Sequence, residues 1–334
     1  MPANTIPEAR VAADHWDLYW ASGAQGSFEL DGEDDSGTAA VAAWEPFFAA
    51  LPDASRHLDV GCGNGGVSLV AARVARRLGR TFRLHAVDLA EIHPERTPAA
   101  GVLAAAGIDF RGGVDLAALP FADASFDAVT GQYALEYADP ERAPAEILRV
   151  LGPGGRARFV VHHADSLVLE KARDELPHID WLIGESGLTA AARDLLARIV
   201  GVRDAAGIAA LQSDPRAEAL RLRFNAVCDR VSARIAAGGA VGGLRRVLGQ
   251  LGQIIAGRAL LTQAQAAALI DEVDLQLRGH RARLGDLLAS AHDGARMAGL
   301  LERLRTLGAR DPSATTLHHP TGALMGWQLD LSRS

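Results

Sequence analysis

His57-Leu58-Asp59-Val60-Gly61-Cys62-Gly63-Asn64-Gly65-Gly66 is the stretch on which the fold turns. An apolar strand ends at Asp59-Val60, four glycines crowd the turn, and an Ala/Val/Leu-rich helix from Val67 to Leu78 begins at once. Glycines at such a junction let the backbone take positive φ. They also let a ligand approach main-chain N–H groups where the helix dipole is positive. A polar ligand is therefore expected at the loop. Gly61, Gly63 and Gly66 have the spacing of a dinucleotide-binding turn, whereas Asp59, two residues before Gly61, suits S-adenosylmethionine. The loop alone leaves both open.

Around this loop the chain runs to 334 residues, long enough for one elaborated α/β domain or for two domains. It is 49% hydrophobic with ordinary glycine and proline content, the balance of a globular protein. No run approaches the ~18 uninterrupted apolar residues of a membrane span. Met1 through Arg10 lacks a basic region followed by an apolar core, so no secretory signal is expected and the cytoplasm is the expected compartment. Cys62 and Cys228 are the only cysteines, which argues against a disulfide framework or a thiolate metal cluster. A net charge of −7 gives no general attraction for polyphosphate, so a nucleic-acid partner is not expected. Lys171 is the only lysine, which removes most Schiff-base and lysine-nucleophile chemistry.

Upstream, Val11 to Trp20 concentrates His15, Trp16, Tyr19 and Trp20. On a helix Trp16 and Trp20 share one face and His15 and Tyr19 the adjacent one, which suits either a docking helix with core aromatics or a flap over a cofactor cleft. Asp31 through Gly37 is acidic but lacks the alternating ligands and closing Glu of a calcium loop, and reads as solvated. Downstream, a second strand spans Thr81 to Val87 and ends in Asp88, an acid placed to accept from ribose hydroxyls. A short third strand is expected near Asp109 to Arg111, and a fourth over Ser125 to Thr130 with Gly131-Gln132-Tyr133 at its exposed end. Asp139 then caps a helix with Pro140 at its first position, and Gly152-Pro153-Gly154-Gly155 stops it. The fifth strand is Arg156 to Val161, with His162 and His163 at its C-terminal edge, where parallel sheets bind ligands.

From Asp165 to about Gly294 the pattern is helical. Leu220, Phe224, Val227, Val231 and Ile235 form one apolar stripe. Thr262 with Gln265 makes a capping box opening a helix that carries Leu269, Val273 and Leu277. Then Ala295 to Leu307 reads as an amphipathic helix, Ala314 to His318 as a short strand and Gly322 to Leu331 as a strand containing Trp327. The expected fold class is therefore α/β: a Rossmann-like, mostly parallel sheet with a C-terminal antiparallel hairpin, carrying a large all-helical insertion after the fifth strand. The expected organisation is an N-terminal helical cap (1–50), a sheet core (51–163 and 295–334) and the insertion (164–294).

Five segments occur in an order that resembles the class I S-adenosylmethionine-dependent methyltransferases, particularly their small-molecule branch. They are Leu58-Asp59-Val60-Gly61-Cys62-Gly63-Asn64-Gly65, Val87-Asp88-Leu89, Asp115 before Leu119-Pro120-Phe121, Ser125-Phe126-Asp127-Ala128-Val129, and Leu148-Arg149-Val150-Leu151-Gly152-Pro153-Gly154-Gly155. The resemblance covers about residues 40 to 163, and 295 to 334 less closely. It implies that Asp59 and the backbone of Gly61, Cys62, Gly63 and Gly65 hold the methionine part, and that Asp88 holds the ribose. It further implies that Leu89 flanks the adenine, Asp115 accepts from its amino group and the Leu116 N–H meets a ring nitrogen. Gln132 and Tyr133 would border the methionine amine and the sulfonium. For Asp88 and Asp115 the alternative is a turn-capping carboxylate, and Cys62 reads as a small loop filler with nothing cationic beside it.

The family's reaction is an in-line displacement on a sulfonium, yielding S-adenosylhomocysteine, and positioning supplies much of the acceleration. A hydroxyl or amine acceptor must also lose a proton, which calls for a base with pKa near neutrality. His162 and His163 are the leading candidates, with Glu136, Tyr137 and Tyr133 as competitors; simple solvent-facing roles for both histidines stay open. No metal is expected, because no His/Asp/Glu pair has ligand spacing. The insertion reads as a lid or substrate-selecting cap, or else as a homodimer interface. Two further functions stay open: a protein or RNA methyltransferase, and a cofactor-binding partner or regulator that uses the inserted helices as an interaction surface.

Overall fold

The computed structural model describes residues 8–26 and 36–334, with side chains described for 15–26 and 43–334. The acidic loop ahead of Gly37 lies largely outside the described residues. Two helices lead in, α1 (Glu8–Ala21) and α2 (Ser36–Ala49). β1 (Arg56–Val60) then ends at the glycine loop, which opens into α3 (Gly66–Leu78). β2 (Arg83–Val87), α4 (Ala100–Ala105), β3 (Asp109–Arg111), β4 (Phe126–Gln132), α5 (Arg142–Val150) and β5 (Leu151–Val161) follow. After a run of helices, α6 (Leu167–Gly184) to α11 (Gln263–Ser290), the chain closes with α12 (Gly294–Thr306), β6 (Ala309–His318) and β7 (Leu324–Arg333).

The seven strands form one sheet in the order β3-β2-β1-β4-β5-β7-β6. β1 to β5 are mutually parallel, and β7 runs antiparallel to both its neighbours. The central strands are buried on both faces, as parallel strands covered by helices must be. Leu58, Val60, Val129 and Phe159 pack on one face with Ile147 of α5 and Leu304 of α12. Trp44 and Phe48 of α2, Val70 and Val74 of α3, Ala128 and Val160 pack on the other. Strand order reverses between β1 and β4, so a crevice opens beyond their carboxyl ends.

Several boundaries differ from those expected. α5 spans Arg142–Val150, starting two residues after Pro140, but Asp139 caps this turn as expected: its carboxylate accepts from the N–H groups of Glu141 and Arg142 and its main-chain oxygen from the Ala143 N–H. β5 begins at Leu151, so the Gly-Pro-Gly-Gly turn lies within the strand's irregular start and does not itself stop the helix. β6 reaches back to Ala309 because its early residues pair with Ser332 and Arg333 at the end of β7.

The chain divides into two compact units, residues 1–170 with 286–334 and residues 171–285, and both boundaries fall inside helices, α6 and α11. The second unit contains α7 (Leu188–Ile199), α8 (Ala205–Gln212), α9 (Pro215–Ala236) and α10 (Gly242–Ala256) besides most of α6 and α11. Ile179, Leu196, Val231, Leu244, Leu251 and Ile270 form its buried interior. The capping box is present in both directions: Thr262 N–H donates to Gln265 Oε1 at 2.9 Å and Gln265 N–H to Thr262 Oγ1 at 3.2 Å. Leu269 is exposed, and the buried stripe of α11 runs instead through Ala266, Ile270, Val273 and Leu277. Among the described residues no helix is long and apolar enough to cross a membrane.

Candidate functional site

A cavity of about 660 Å³ lies at the β1/β4 crevice, wholly within the sheet unit. The glycine loop forms one wall. Gly61 has φ of 59° and a Cβ on it would stand 2.1 Å from the Ala134 methyl; Gly63 has φ of 50° and its Cβ would stand 2.4 Å from the Trp20 ring. Both positions therefore require glycine for conformation and for space. Gly61, Cys62 and Gly66 line the cavity; Gly63 is covered by Trp20, and Gly65 by Phe110. The N-cap of α3, Gly65, has no side chain, and Asp59 takes the Ser68 N–H from behind, so the N–H groups of Gly66 and Val67 are the donors this end presents on the cavity side. Cys62 is buried, with its thiol pKa pushed up first by desolvation, which makes it a filler and not a nucleophile.

Asp88 stands at the carboxyl end of β2 and lines the cavity. Its Oδ2 accepts from the Gly63 N–H at 2.7 Å and its Oδ1 from the Ala90 N–H at 2.9 Å. Desolvation raises its pKa to about 6 against the pull of those amides. A carboxylate has about four lone-pair sites, so Asp88 can brace the loop and still accept from a ligand hydroxyl. Asp115 combines the two expected roles in the same way: one oxygen caps the turn through the Ala117 N–H at 2.8 Å, and the residue faces the cavity beside Leu116 and Leu89. Gln132 lines the cavity from the end of β4, and its Oε1 is held by the Trp44 indole N–H at 2.7 Å. What Gln132 offers a ligand is therefore its amide N–H.

Asp59 departs from its expected place. It is fully buried and does not line the cavity, because Ser68 donates to it through both N–H (3.1 Å) and Oγ (2.7 Å), and Thr130 Oγ1 donates at 3.3 Å. It ties β1 to β4 and α3, with desolvation raising its pKa to about 7. It supports the loop from behind and touches no ligand space.

The histidines depart as well. His162 is 2% exposed, its ring stacked on Tyr133 with centroids 3.9 Å apart, and burial lowers its pKa to about 3. His163 stacks on Trp327 at 4.4 Å. Neither lines the cavity. The cause is that the chain beyond β5 is still paired: His292 N–H donates to His162 O, and Ala164 N–H to His292 O, where the helical stretch returns. The other three candidates, Tyr133, Glu136 and Tyr137, do line the cavity. Tyr133 holds φ of 54°, an uncommon conformation for an aromatic residue, and burial raises its hydroxyl pKa well above the ordinary range. Tyr137 is shifted in the same direction by burial. Glu136 is anchored through Oε1 by the His162 N–H at 2.7 Å, its Oε2 is buried without a protein partner, and desolvation raises its pKa to about 7.

The remaining wall comes from the aromatic helix α1 and the residues just after it. Trp16 and Trp20 stack at 6.2 Å, Trp16 meets the Tyr137 ring edge-on at 6.0 Å, and both tryptophans face the cavity. The flap alternative for the aromatic helix thus fits better than a purely core role, although Trp20 is also buried. Buried Asn64 clamps this cover: its Nδ2 donates to Trp20 O and Ala24 O, and its Oδ1 accepts from the His93 N–H. No spacing rule marks Asn64 or Gln25, because their partners are main-chain atoms far away in sequence. Among the described residues, no group of three or more His, Cys, Asp or Glu is placed to hold a metal ion.

Residues 58–159 match the family model described as a methyltransferase domain. The matched residues run from β1 to β5 of the sheet, so over this stretch the chain is similar to the class I S-adenosylmethionine-dependent methyltransferases. Similar proteins include malonyl-(acyl-carrier protein) O-methyltransferase of Enterobacter lignolyticus, 30% identical over 142 residues, covering 41% of this chain and 52% of that protein. O-methyltransferase rstn1 of Aspergillus nomiae is 38% identical over 104 residues, covering 30% of this chain and 44% of that protein. The chain thus spans about half the length of the curated relatives it matches. A solved structure, the geranyl diphosphate C-methyltransferase from Streptomyces coelicolor, is 20% identical with a TM-score of 0.36 over 49% of this chain and 67% of that one.

Proposed function

We propose that this chain transfers a methyl group from S-adenosylmethionine to a small-molecule acceptor. The observation that carries this is one cavity in which a carboxylate at the end of β2, a second at Asp115 and the glycine-led start of α3 meet a wall of Trp16, Trp20 and Tyr137. Bound there, the cofactor supplies an electrophilic methyl on a sulfonium. Asp88 accepts from the ribose hydroxyls, Asp115 and the Leu116 N–H meet the adenine edge and Leu89 covers its face. The glycine loop and the start of α3 face the methionine carboxylate. Gln132 and Tyr133 border the sulfonium end. Trp16, Trp20 and Tyr137 exclude water, which strengthens every electrostatic contact inside. Glu136 is the group that receives a proton from a hydroxyl or amine acceptor: it lines the cavity, its Oε2 has no protein donor, and a pKa about 7 suits a base at neutral pH.

Titration calorimetry with S-adenosylhomocysteine, followed by product-nucleoside release against pools of hydroxylated and aminated acceptors, tests this reading. Saturable binding with turnover on a small molecule is expected. Tighter binding of a nicotinamide dinucleotide than of S-adenosylmethionine overturns it, and binding without turnover on any small, protein or RNA acceptor reduces the chain to a cofactor-binding partner.

A further inference from the structure

Among the described residues, the charged side chains that line the cavity are the carboxylates Asp88, Asp115, Glu136, Asp139 and Asp286 and a single guanidinium, Arg142. Asp88 and Asp115 follow β2 and β3 and belong to the adenosine half of the proposed cofactor site. Asp139 and Arg142 are exposed at the start of α5, where Asp139 and Glu146 feel and offset the Arg142 charge. Glu136 and Asp286 remain, on the β4 and β5 side. Asp286, Ala289 and Ser290 make one face of the end of α11, at the three- and four-residue steps of a helix. That face stands by the end of β5, where His292 N–H donates to His162 O, and by Tyr137, whose hydroxyl reaches the Ser290 side chain. Asp286 Oδ2 is held by His15 Nε2 at 2.7 Å, whereas its Oδ1 has no hydrogen-bond partner among the described residues. His15 precedes Trp16, which meets the Tyr137 ring edge-on. The acceptor side of the cavity thus combines aromatic faces with a fixed carboxylate. Those are the two surfaces that attract an ammonium, one through the ring quadrupole and one through charge. Seating a cation next to a sulfonium requires negative charge around it, while an anionic acceptor would meet Glu136 and Asp286 as like charges.

We propose that Asp286 is a specificity-determining residue that selects acceptors carrying a protonated amine, held against Trp16 and Tyr137. This rests on the methyltransferase reading above and names its substrate class. The full chain, as wild type, Asp286→Asn and His15→Gln, is titrated calorimetrically with S-adenosylmethionine and with S-adenosylhomocysteine. The S-adenosylhomocysteine-loaded chain is then titrated with two isosteric pairs, phenethylamine with phenethyl alcohol and tryptamine with tryptophol, and with the anion hydrocinnamate. In wild type each amine should bind about fivefold tighter than its alcohol, and hydrocinnamate more weakly than either. Asp286→Asn, which keeps an oxygen for His15, should bring amine and alcohol within about twofold of each other while leaving the alcohols and S-adenosylhomocysteine as in wild type. His15→Gln removes the hold but not the carboxylate, and should keep the preference for amines. Amines that bind no tighter than alcohols in wild type, or a preference that survives Asp286→Asn, would overturn the proposal. Equal losses for amines and alcohols would do the same, since they would mean that the substitution merely loosens the wall. So would a loss confined to S-adenosylmethionine, which would assign the charge to the sulfonium. A wild-type chain that binds neither S-adenosylmethionine nor S-adenosylhomocysteine overturns the methyltransferase reading together with this one, whereas cofactor binding without amine preference overturns this one alone.

Discussion

Among the described residues, the sheet unit buries His57, Asp59, Asn64, Thr130, Glu136, His162 and His319 besides several serine and threonine side chains, whereas residues 171–285 bury the polar side chain of Ser186 alone. Buried polar groups are costly unless each finds a partner. The sheet unit meets that cost with specific pairings: His57 Nε2 with Thr130 Oγ1 at 2.7 Å, Asp59 with Ser68, and Asn64 with the cover. The helical unit carries fewer such groups, with the part-buried Glu175–His280 pair at 3.2 Å besides, and relies mainly on apolar stripes that many sequences could fill. Chemistry and rigidity therefore concentrate in the sheet unit, and substitutions in the two units should fail in different ways.

The largest separation is expected at Glu136. Glu136→Gln keeps the shape and the bond from the His162 N–H but cannot take a proton, so turnover of a hydroxyl or amine acceptor should fall by ~10²–10⁴-fold. S-adenosylhomocysteine affinity should stay as in wild type. In wild type, turnover should rise with pH through about 7, where Glu136 becomes carboxylate, and the variant's residual rate should be flat across that window. A variant that keeps the wild-type rate and profile would take Glu136 out of the chemistry.

A core deletion in the helical unit should do the converse. Leu251 is fully buried, and Leu251→Ala leaves a cavity worth ~2–5 kcal/mol of stability. Chemical denaturation should show the loss, while calorimetry with S-adenosylhomocysteine at low temperature should show none. A parallel fall in cofactor affinity would break the separation between the units.

Asp59 is a buried group whose role is structural and whose signature is pH. Its folded pKa lies about 7, above the ordinary carboxylate value, so the folded state holds the proton more tightly than the unfolded chain. The sign follows: this group disfavours the folded state increasingly as pH rises from about 4 to about 7, the reverse of Asp127, whose carboxyl is held low chiefly by its hydrogen bond with Arg56 and which loses its contribution as pH falls. Asn can face Ser68 with its oxygen and Thr130 with its amide. Asp59→Asn should therefore raise Tm at pH 8 by about 2–4 °C and flatten its decline between pH 5 and 8. A variant with lower Tm at pH 8 would show that the ionised carboxylate is the stabilising form.

The same contrast governs what was legible in the sequence. The Gly61–Gly66 turn, Asp88 and Asp115 are set by local backbone demands, so their spacing announces strand, loop and helix. Strand-edge logic points to His162 and His163 because it assumes that the strand ends at the cleft; neither lines the cavity, since the pairing of residues 162–164 with His292 depends on where the chain returns more than a hundred residues later. Asn64 and Gln25 were invisible for the same reason. In the helical unit, periodicity found α9 and α11 but slipped by one position at Leu269, since a stripe of Leu, Ile and Val on both sides of a helix does not say which side is inside.

The smallest expected effect tests the one feature of the helical unit that the sequence specified in atomic detail. Thr262 and Gln265 satisfy each other's main-chain N–H groups at the start of α11, as a capping box requires. Thr262→Ala removes the oxygen that receives the Gln265 N–H and should cost about 1 kcal/mol. Gln265→Ala removes the reciprocal bond, and the double variant should cost less than the sum of the two singles, because each half positions the other. Hydrogen exchange should place the loss in the first turn of α11, with the glycine loop and β4 unchanged. If the protection of β4 fell as well, the helical unit would be energetically continuous with the sheet, and the division of labour between them would have to be given up.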